Sequence, residues 1–372
     1  MRMEKWAGAA LALAAAIFAG GCSINRTSSF KWLAFPLSWR SAPSDPTQTL
    51  REKAESGDPD SQYKLGFSLL YGEDMPRDAE SGLVWLKRSG ENGYLKAQSA
   101  LGLLFLKGVP DIDRDDREAA VWLEKAAAQG HVVSQSSLGA LLLSQTSSVH
   151  DSEAGVVWLK RAAGQGDAPA QVALGQMYRN GYVVAQSDTE SVRWYRKAAE
   201  QGNTGAQTQL GIAYYRGKGV LQSFDEARRL FEAAAFRDDA LAMSNLGVMA
   251  SRGEGMKQDA ELALSWFRKA AEGGHADGQN NLGAAYYKGI GVPQDYGAAL
   301  AWFRKAADQG HASAQFRLGL MLEAGQGTDP DTSEAAVWIK RAADQGFPPA
   351  VNRMRERGAA PSANAEQTAV ST

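Results

Sequence analysis

A Leu-Gly pair recurs eight times at near-constant spacing, and nothing else in the chain constrains its fold as strongly. The pairs are Leu65-Gly66, Leu101-Gly102, Leu138-Gly139, Leu174-Gly175, Leu210-Gly211, Leu246-Gly247, Leu282-Gly283 and Leu318-Gly319. Successive pairs lie 36 residues apart, except for a single step of 37. A bulky residue follows each pair by about twenty positions: Trp85, Trp122, Trp158, Trp194, Leu230, Trp266, Trp302 and Trp338. A fixed period of roughly 20 to 50 residues marks stacked repeats, each too small to bury its apolar side alone.

The seventh unit shows what one repeat contains. The sequence predicts a first helix over 276–288, with Leu282, Ala285 and Tyr286 on one stripe. Gly289 and Gly291 make the break, because glycine takes a left-handed helix end at little cost. Pro293 suits the start of the next helix. That second helix is predicted over 296–308, with Ala299, Trp302, Phe303 and Ala306 on one side, and Gly310 closes it. Glycine inside a helix costs about 1 kcal/mol relative to alanine, yet Gly283 has an equivalent in every unit. Close approach of a neighbouring helix, leaving no room for a β-carbon, is the simplest cause. The Ala-Ala steps at 126-127, 162-163, 198-199, 270-271, 306-307 and 342-343 meet the same need. The tryptophan is expected to fill the space between units, so Trp194→Ala and Trp302→Ala are expected to damage the fold.

Taken together, the Leu-Gly, Tyr-x-x-Gly-x-Gly, Ala-x-x-Trp and Lys-Ala-Ala elements resemble the Sel-one-like repeat family, relatives of the tetratricopeptide repeats. The resemblance spans about residues 49–357. It implies an all-α fold, a right-handed α/α superhelical solenoid of about eight helix-turn-helix repeats with terminal half-repeats. It also implies a scaffold used for protein–protein contact, without catalysis.

Forty basic and 42 acidic side chains leave a formal net charge of −2 over 372 residues, so there is no general pull towards nucleic acid. Residues 1–22 read as an export signal: Arg2 and Lys5 precede an apolar run over 7–19 that is short for a membrane span. Cys22 is the only cysteine. Ala19-Gly20-Gly21-Cys22 resembles a bacterial lipobox, with Ala19 where leucine is usual. The resemblance implies lipidation of Cys22, and two or more acyl chains suffice for stable anchoring. Ordinary signal cleavage after the small residues is the alternative. Ser23 is not the aspartate of inner-membrane retention, which by analogy favours the outer membrane, facing the periplasm. A single cysteine allows no intramolecular disulfide, unlike the cysteine-stapled secreted members of the family.

Residues 23–48 have the Ser, Thr and Pro of a tether, yet include Phe30, Trp32, Leu33, Phe35, Leu37 and Trp39. Three placements stay open for them: the lipid headgroup zone, a partner, or a cap on the first repeat. Residues 50–57 align with the second helix of a repeat and supply an N-terminal cap. Three units are irregular. The second has an extra residue and a charged loop over 111–117; the third has Ser144-Gln145-Thr146-Ser147 in place of its glycine break. The fifth lacks the tryptophan and the closing glycine, carrying Leu230-Phe231 and Arg237-Asp238-Asp239 instead. Looser packing or a bend is expected at these joints. Residues 348–357 read as a terminal half-repeat made polar by Arg353, Arg355, Glu356 and Arg357, as caps require. Residues 358–372 are small and polar, and disorder is expected there.

Motifs for chemistry are few. His131, His275 and His311 recur with the repeat, each after the glycine that closes a second helix, and read as loop residues near the next helix start. His150 has no evident ligand partner. The Gly-x-Gly pairs at 217/219, 253/255, 289/291 and 325/327 have neither the preceding strand nor the following Gly-Lys-Ser/Thr of a phosphate loop, and read as helix–helix turns. The basic doublets at 160-161, 196-197, 268-269, 304-305 and 340-341 read as a solvated face. No catalytic residue, metal ligand or cofactor is assigned.

One constellation points to partners. In related solenoids the first helix lines the concave surface, and the positions five and six after the landmark leucine lie near its rim. They are Leu70-Tyr71, Leu106-Lys107 and Leu143-Ser144 in the first three units, then Arg179-Asn180, Tyr215-Arg216, Ser251-Arg252 and Tyr287-Lys288. Arg179, Tyr215, Arg216, Arg252, Tyr287 and Lys288 are therefore the candidate partner-binding residues. They suit an acidic protein segment or an anionic polysaccharide; the bland reading is cations placed to favour helix C-termini. The expected partners are other envelope proteins through the concave face and the membrane through the lipid anchor, with no nucleic acid. A glycan-binding protein, an envelope enzyme and a surface factor contacting host or competitor proteins are the rival readings.

Overall fold

The structure, a computed structural model, describes residues 46–356 and Gly358. The signal segment with Cys22, nearly all of the tether, and the tail after Gly358 lie outside the described residues. The described residues form eighteen α-helices. The N-terminal cap helix is Pro46–Glu55. The first helices of the eight repeats are Pro59–Tyr71, Leu95–Lys107, Val132–Leu143, Ala168–Asn180, Thr204–Arg216, Ala240–Arg252, Ala276–Lys288 and Ala312–Ala324. Their second helices are Ala79–Glu91, Asp116–Ala128, Ser152–Gly164, Asp188–Glu200, Phe224–Ala235, Ala260–Glu272, Tyr296–Asp308 and Thr332–Asp344. Pro348–Glu356 is the closing half-repeat. The helices group into two compact units, one ending at Ser187 and the other starting at Asp188. None of the helices among the described residues is long and apolar enough to cross a membrane.

Local signals set the helix ends. In the seventh repeat Gly289 closes the first helix in the left-handed conformation, at φ 69°. The second helix starts at Tyr296 because the Asp295 carboxylate accepts a hydrogen bond from the Ala298 amide at 2.8 Å. Pro293 therefore sits in the connecting loop, not at the helix start. Gly291 also has a positive φ, and a β-carbon there would collide with the Ala260 carbonyl at the start of the previous repeat's second helix. The second glycine of each Gly-x-Gly pair thus serves contact between repeats.

The helical Leu-Gly glycines do mark close helix crossings. A β-carbon on Gly283 would lie 2.9 Å from Phe303, one on Gly102 2.6 Å from Leu123, and one on Gly319 2.6 Å from Ile339. The partner is not the tryptophan but the residue after it. Leu86, Leu123, Leu159, Phe231, Phe303 and Ile339 are buried to within a few per cent. Trp85, Trp158, Trp194, Trp266 and Trp302 are only half-buried, while Trp122 and Trp338 are buried. Each tryptophan instead carries a cation three residues on: Lys305 Nζ lies 3.9 Å from the Trp302 ring centre, Lys197 4.7 Å from Trp194 and Arg161 4.5 Å from Trp158. One member of each basic doublet is therefore held against a ring, so the doublets are more than a solvated face.

A buried glutamine three residues before the landmark leucine ties three helices together. Gln98 donates to the Gly90 carbonyl at 2.9 Å and accepts from Gln129 at 2.6 Å. Gln135 repeats this with Ala127 and Gln165, and Gln315 with Ala307 and Gln345. Each rung adds a second hydrogen bond to a carbonyl at the end of the preceding helix, which already accepts a turn amide: Gly93 N–H for Gly90, Gly130 N–H for Ala127 and Gly310 N–H for Ala307.

The three irregular joints behave differently. In the second repeat the extra residue is absorbed by a tight turn in which Val109 and Ile112 exchange both backbone hydrogen bonds, and Ile112 is buried. In the third, the helices stay in close contact: a β-carbon on Gly139 would lie 2.8 Å from Leu159. Looser packing is therefore not found at either. The fifth repeat also keeps its close helix crossing, with a β-carbon on Gly211 meeting Phe231 at 2.6 Å, but there the amide rung fails: Gln207 Oε1 is buried with no hydrogen-bond partner. The closing helix packs through Ala350 and Val351, which are buried, and Arg353 reaches back to Glu323 at 3.1 Å; Arg357 lies outside the described residues.

Candidate functional site

The six candidate residues all stand at the C-terminal ends of first helices, as their spacing requires. The structure brings only some of them together. Arg179 belongs to the first compact unit and the other five to the second. Within the second, the Tyr215 hydroxyl donates to Glu254 Oε2 at 2.5 Å and accepts from Arg252 Nη1 at 3.0 Å. Arg252 also lies 3.9 Å from Glu254. Burial first, and then the hydrogen bond to Glu254, push the Tyr215 phenol above its ordinary value. Tyr215 is thus a neutral bridge between neighbouring repeats, and part of the Arg252 charge is met locally. Glu254, which the sequence reading missed, makes the stripe less basic than expected.

Tyr287 is half-buried and its ring centre lies 5.3 Å from that of Tyr296. Gln294 locks that corner, donating to the Tyr287 carbonyl at 2.8 Å and to the Tyr296 hydroxyl at 3.0 Å. Arg216 and Lys288 are exposed. Further along the same helices runs a row the sequence reading did not single out: Gln209, Asn245, Asn281 and Arg317, each just before its landmark leucine. Arg317 is half-buried over Phe303, its guanidinium 5.6 Å from the ring centre, and burial lowers its pKa. The repeated position was visible in the sequence, but its exposure was not. Beside it Ile212, Val248, Ala284 and Leu320 remain partly exposed. The open side of these first helices therefore carries a row of amide and guanidinium groups, of which Asn245 already donates to the Leu241 carbonyl and Asn281 to Ser244, beside a shallow apolar strip and cations at one edge. The first unit differs there: Tyr63, Phe67 and Tyr71 form a ring ladder, with Tyr63–Phe67 centres 4.8 Å apart, and Tyr71 is half-exposed.

The histidines serve the repeat. His311 Nδ1 accepts from the Ala314 amide at 3.1 Å, capping its helix, and His131 does the same for Ser134 at 3.3 Å. Asp277 stands between two histidines, 3.0 Å from His311 Nε2 and 3.7 Å from His275 Nδ1. The His311 hydrogen bond, opposed by burial, holds the Asp277 carboxyl below the ordinary carboxylate value. His150 bonds the Ser144 carbonyl and Ser152. Among the described residues no group of three or more metal-ligating side chains converges.

A stack of two-helix repeats whose first helices keep a partly exposed face defines a class: helical-repeat proteins of the kind that mediate protein–protein interaction. The chain matches the Sel1 repeat model eight times, over 59–94, 95–131, 133–167, 168–203, 204–236, 240–275, 276–311 and 312–347. It belongs to the Sel1 repeat family, whose repeats mediate protein–protein interaction. Among solved structures it is similar to a Sel1 repeat protein from Oxalobacter formigenes, at 32% identity and a TM-score of 0.67, over 87% of this chain and 98% of that one. It is also similar to c5321, described as a protective antigen present in uropathogenic Escherichia coli strains, at 30% identity and a TM-score of 0.55, over 84% of this chain and 82% of that one. A comparison with curated proteins finds no match.

Proposed function

We propose that the protein is a non-catalytic adaptor of the bacterial cell envelope, anchored through lipid on Cys22 in the outer membrane and facing the periplasm. The observation that carries the binding role is the open face of the first helices in the second unit. There Arg216, Arg252 and Lys288 are exposed at one edge while Gln209, Asn281 and Arg317 line the strip beside them. Such a face suits an extended protein segment with acidic side chains: amides meet backbone groups, and the guanidinium groups meet carboxylates. Affinity would rest on a few buried anchors, with Tyr287 and Arg317 placed to serve as such. Assistance to assembly of an export or exopolysaccharide complex is the narrower role, with an anionic polysaccharide as the alternative ligand of the same cations. A photo-cross-linker placed at Arg216 in cells should capture one or a few envelope proteins carrying an acidic segment. Capture of polysaccharide alone, or of nothing, would count against the adaptor reading. Mass spectrometry should find acyl chains on the mature N-terminal Cys22; an unmodified N-terminus would remove the anchor.

A second reading, a surface factor contacting host or competitor proteins, is favoured by the likeness to the uropathogenic antigen. Protease added to whole cells distinguishes the two. A periplasm-facing protein survives intact, and a surface-displayed one is cut.

A further inference from the structure

The fifth and sixth repeats depart from the others at positions that meet in one place. Met243 and Gly273 stand where the two amides of the rung stand elsewhere, as Gln279 and Gln309 do in the next repeat. Gly273 has φ −68° and ψ 3°, an ordinary conformation that needs no glycine. Phe236 stands where Glu200, Glu272, Asp308 and Asp344 stand. Asp238 takes the place of the closing glycine and adopts its left-handed φ, 61°, a conformation uncommon for any other residue.

Removing the rung opens a cleft of about 670 Å³ between the ends of these helices. Its apolar walls are Ala235, Met243 and Trp266, and Phe236 stands at its edge. Phe236 is 90% exposed, an unusual place for a phenyl ring beside apolar walls. The charged lining is three carboxylates, Glu232, Asp238 and Glu272, against one ammonium, Lys269. Lys269 lies over the Trp266 ring at 4.7 Å, and Glu232 is 4.0 Å from Arg228. The rim is therefore net acidic, opposite in sign to the edge formed by Arg216, Arg252 and Lys288.

We propose that this cleft docks a peptide segment of a partner protein that carries an aromatic or branched apolar side chain next to a lysine or arginine. The apolar side chain enters between Phe236, Met243 and Trp266, covering the exposed ring. The cation meets Asp238 and Glu272. Charge complementarity selects this occupant. A second copy of the chain would set one acidic rim against another, and an acidic segment would be repelled. The cleft is a site separate from the first-helix face and does not depend on the function proposed for that face.

The test is selection of a random dodecapeptide display library on the full-length protein. The expected peptides carry an apolar anchor beside lysine or arginine. The synthesised winner should bind at least ten-fold more weakly to the double variant Met243→Gln with Gly273→Gln, which restores the rung and should melt no lower than the parent. Phe236→Ser, at an exposed position, should weaken binding similarly, whereas Arg216→Glu with Arg252→Glu should leave it unchanged. No enrichment, enrichment of acidic peptides, or full binding to the rung-restored variant each overturns the proposal. So does a self-association in sedimentation that disappears in Phe236→Ser, which would assign the cleft to a second copy.

Discussion

Gly283 and Phe303 are the pair on which one repeat turns. No β-carbon fits between them, and their equivalents meet in repeat after repeat. Gly283→Ala should therefore destabilise despite alanine's better helix propensity, by about 1–3 kcal/mol, the usual cost of overpacking. Adding Phe303→Leu should recover part of the loss, as read by urea unfolding; a melting temperature raised by Gly283→Ala would contradict the packing. Phe303→Ala should cost about 3–5 kcal/mol, and Trp302→Ala clearly less, because Trp302 is half-buried and Phe303 is 1% exposed. Equal losses would show that the tryptophan fills the core after all. The need for glycine was legible in the sequence, but its partner was misassigned. Residues 302 and 303 are both apolar and adjacent on a helix, about 100° apart around its axis. A period alone cannot choose between them; the structure does.

Between elements, polar links join successive repeats. Asp277 and His311 bridge the seventh and eighth first helices, with the Asp277 carboxyl held below its ordinary value. A carboxylate with a lowered folded-state pKa adds stability that is present above the unfolded value, near 3.8, and is lost as pH falls through the folded value. Asp277→Asn should thus lower the melting temperature at pH 6, and the gap to the parent should close below about pH 3.8. A gap constant across that range would mean that the effect is not the charge. Gln315→Leu should cost about 1 kcal/mol, because it removes the bonds from Gln315 to the Ala307 carbonyl and from Gln345 to Gln315, while that carbonyl keeps the Gly310 amide; a neutral result in chemical denaturation would refute the rung. Helix positions were legible, since the predicted 276–288 and 296–308 agree with the structure. The rungs were not, because Gln315 and Gln345 are 30 residues apart and each alone reads as a surface amide.

At the scale of the molecule, repetition settles the fold, and departures from repetition locate the candidate sites. The positions after each landmark leucine were enough to place Tyr215, Arg252 and Tyr287 at helix ends. The sequence did not reveal that Tyr215 spends its hydroxyl on Glu254, because Glu254 belongs to the next repeat's loop and carries no periodic signal. It flagged the fifth repeat as irregular without showing a cleft, since that lies also against the sixth repeat, where Met243 and Gly273 replace the two amides and which the sequence did not mark as irregular. The acidic cleft and the cationic edge give the second unit two surfaces of opposite preference, which suits a protein that holds dissimilar partners.

The most direct test of a binding role for the first-helix face is a charge reversal on it. Arg216→Glu with Arg252→Glu should leave the melting temperature within a few degrees of the parent and should weaken at least ten-fold the affinity for the envelope protein captured in cells, measured on purified components. Undiminished affinity in that variant would contradict the account.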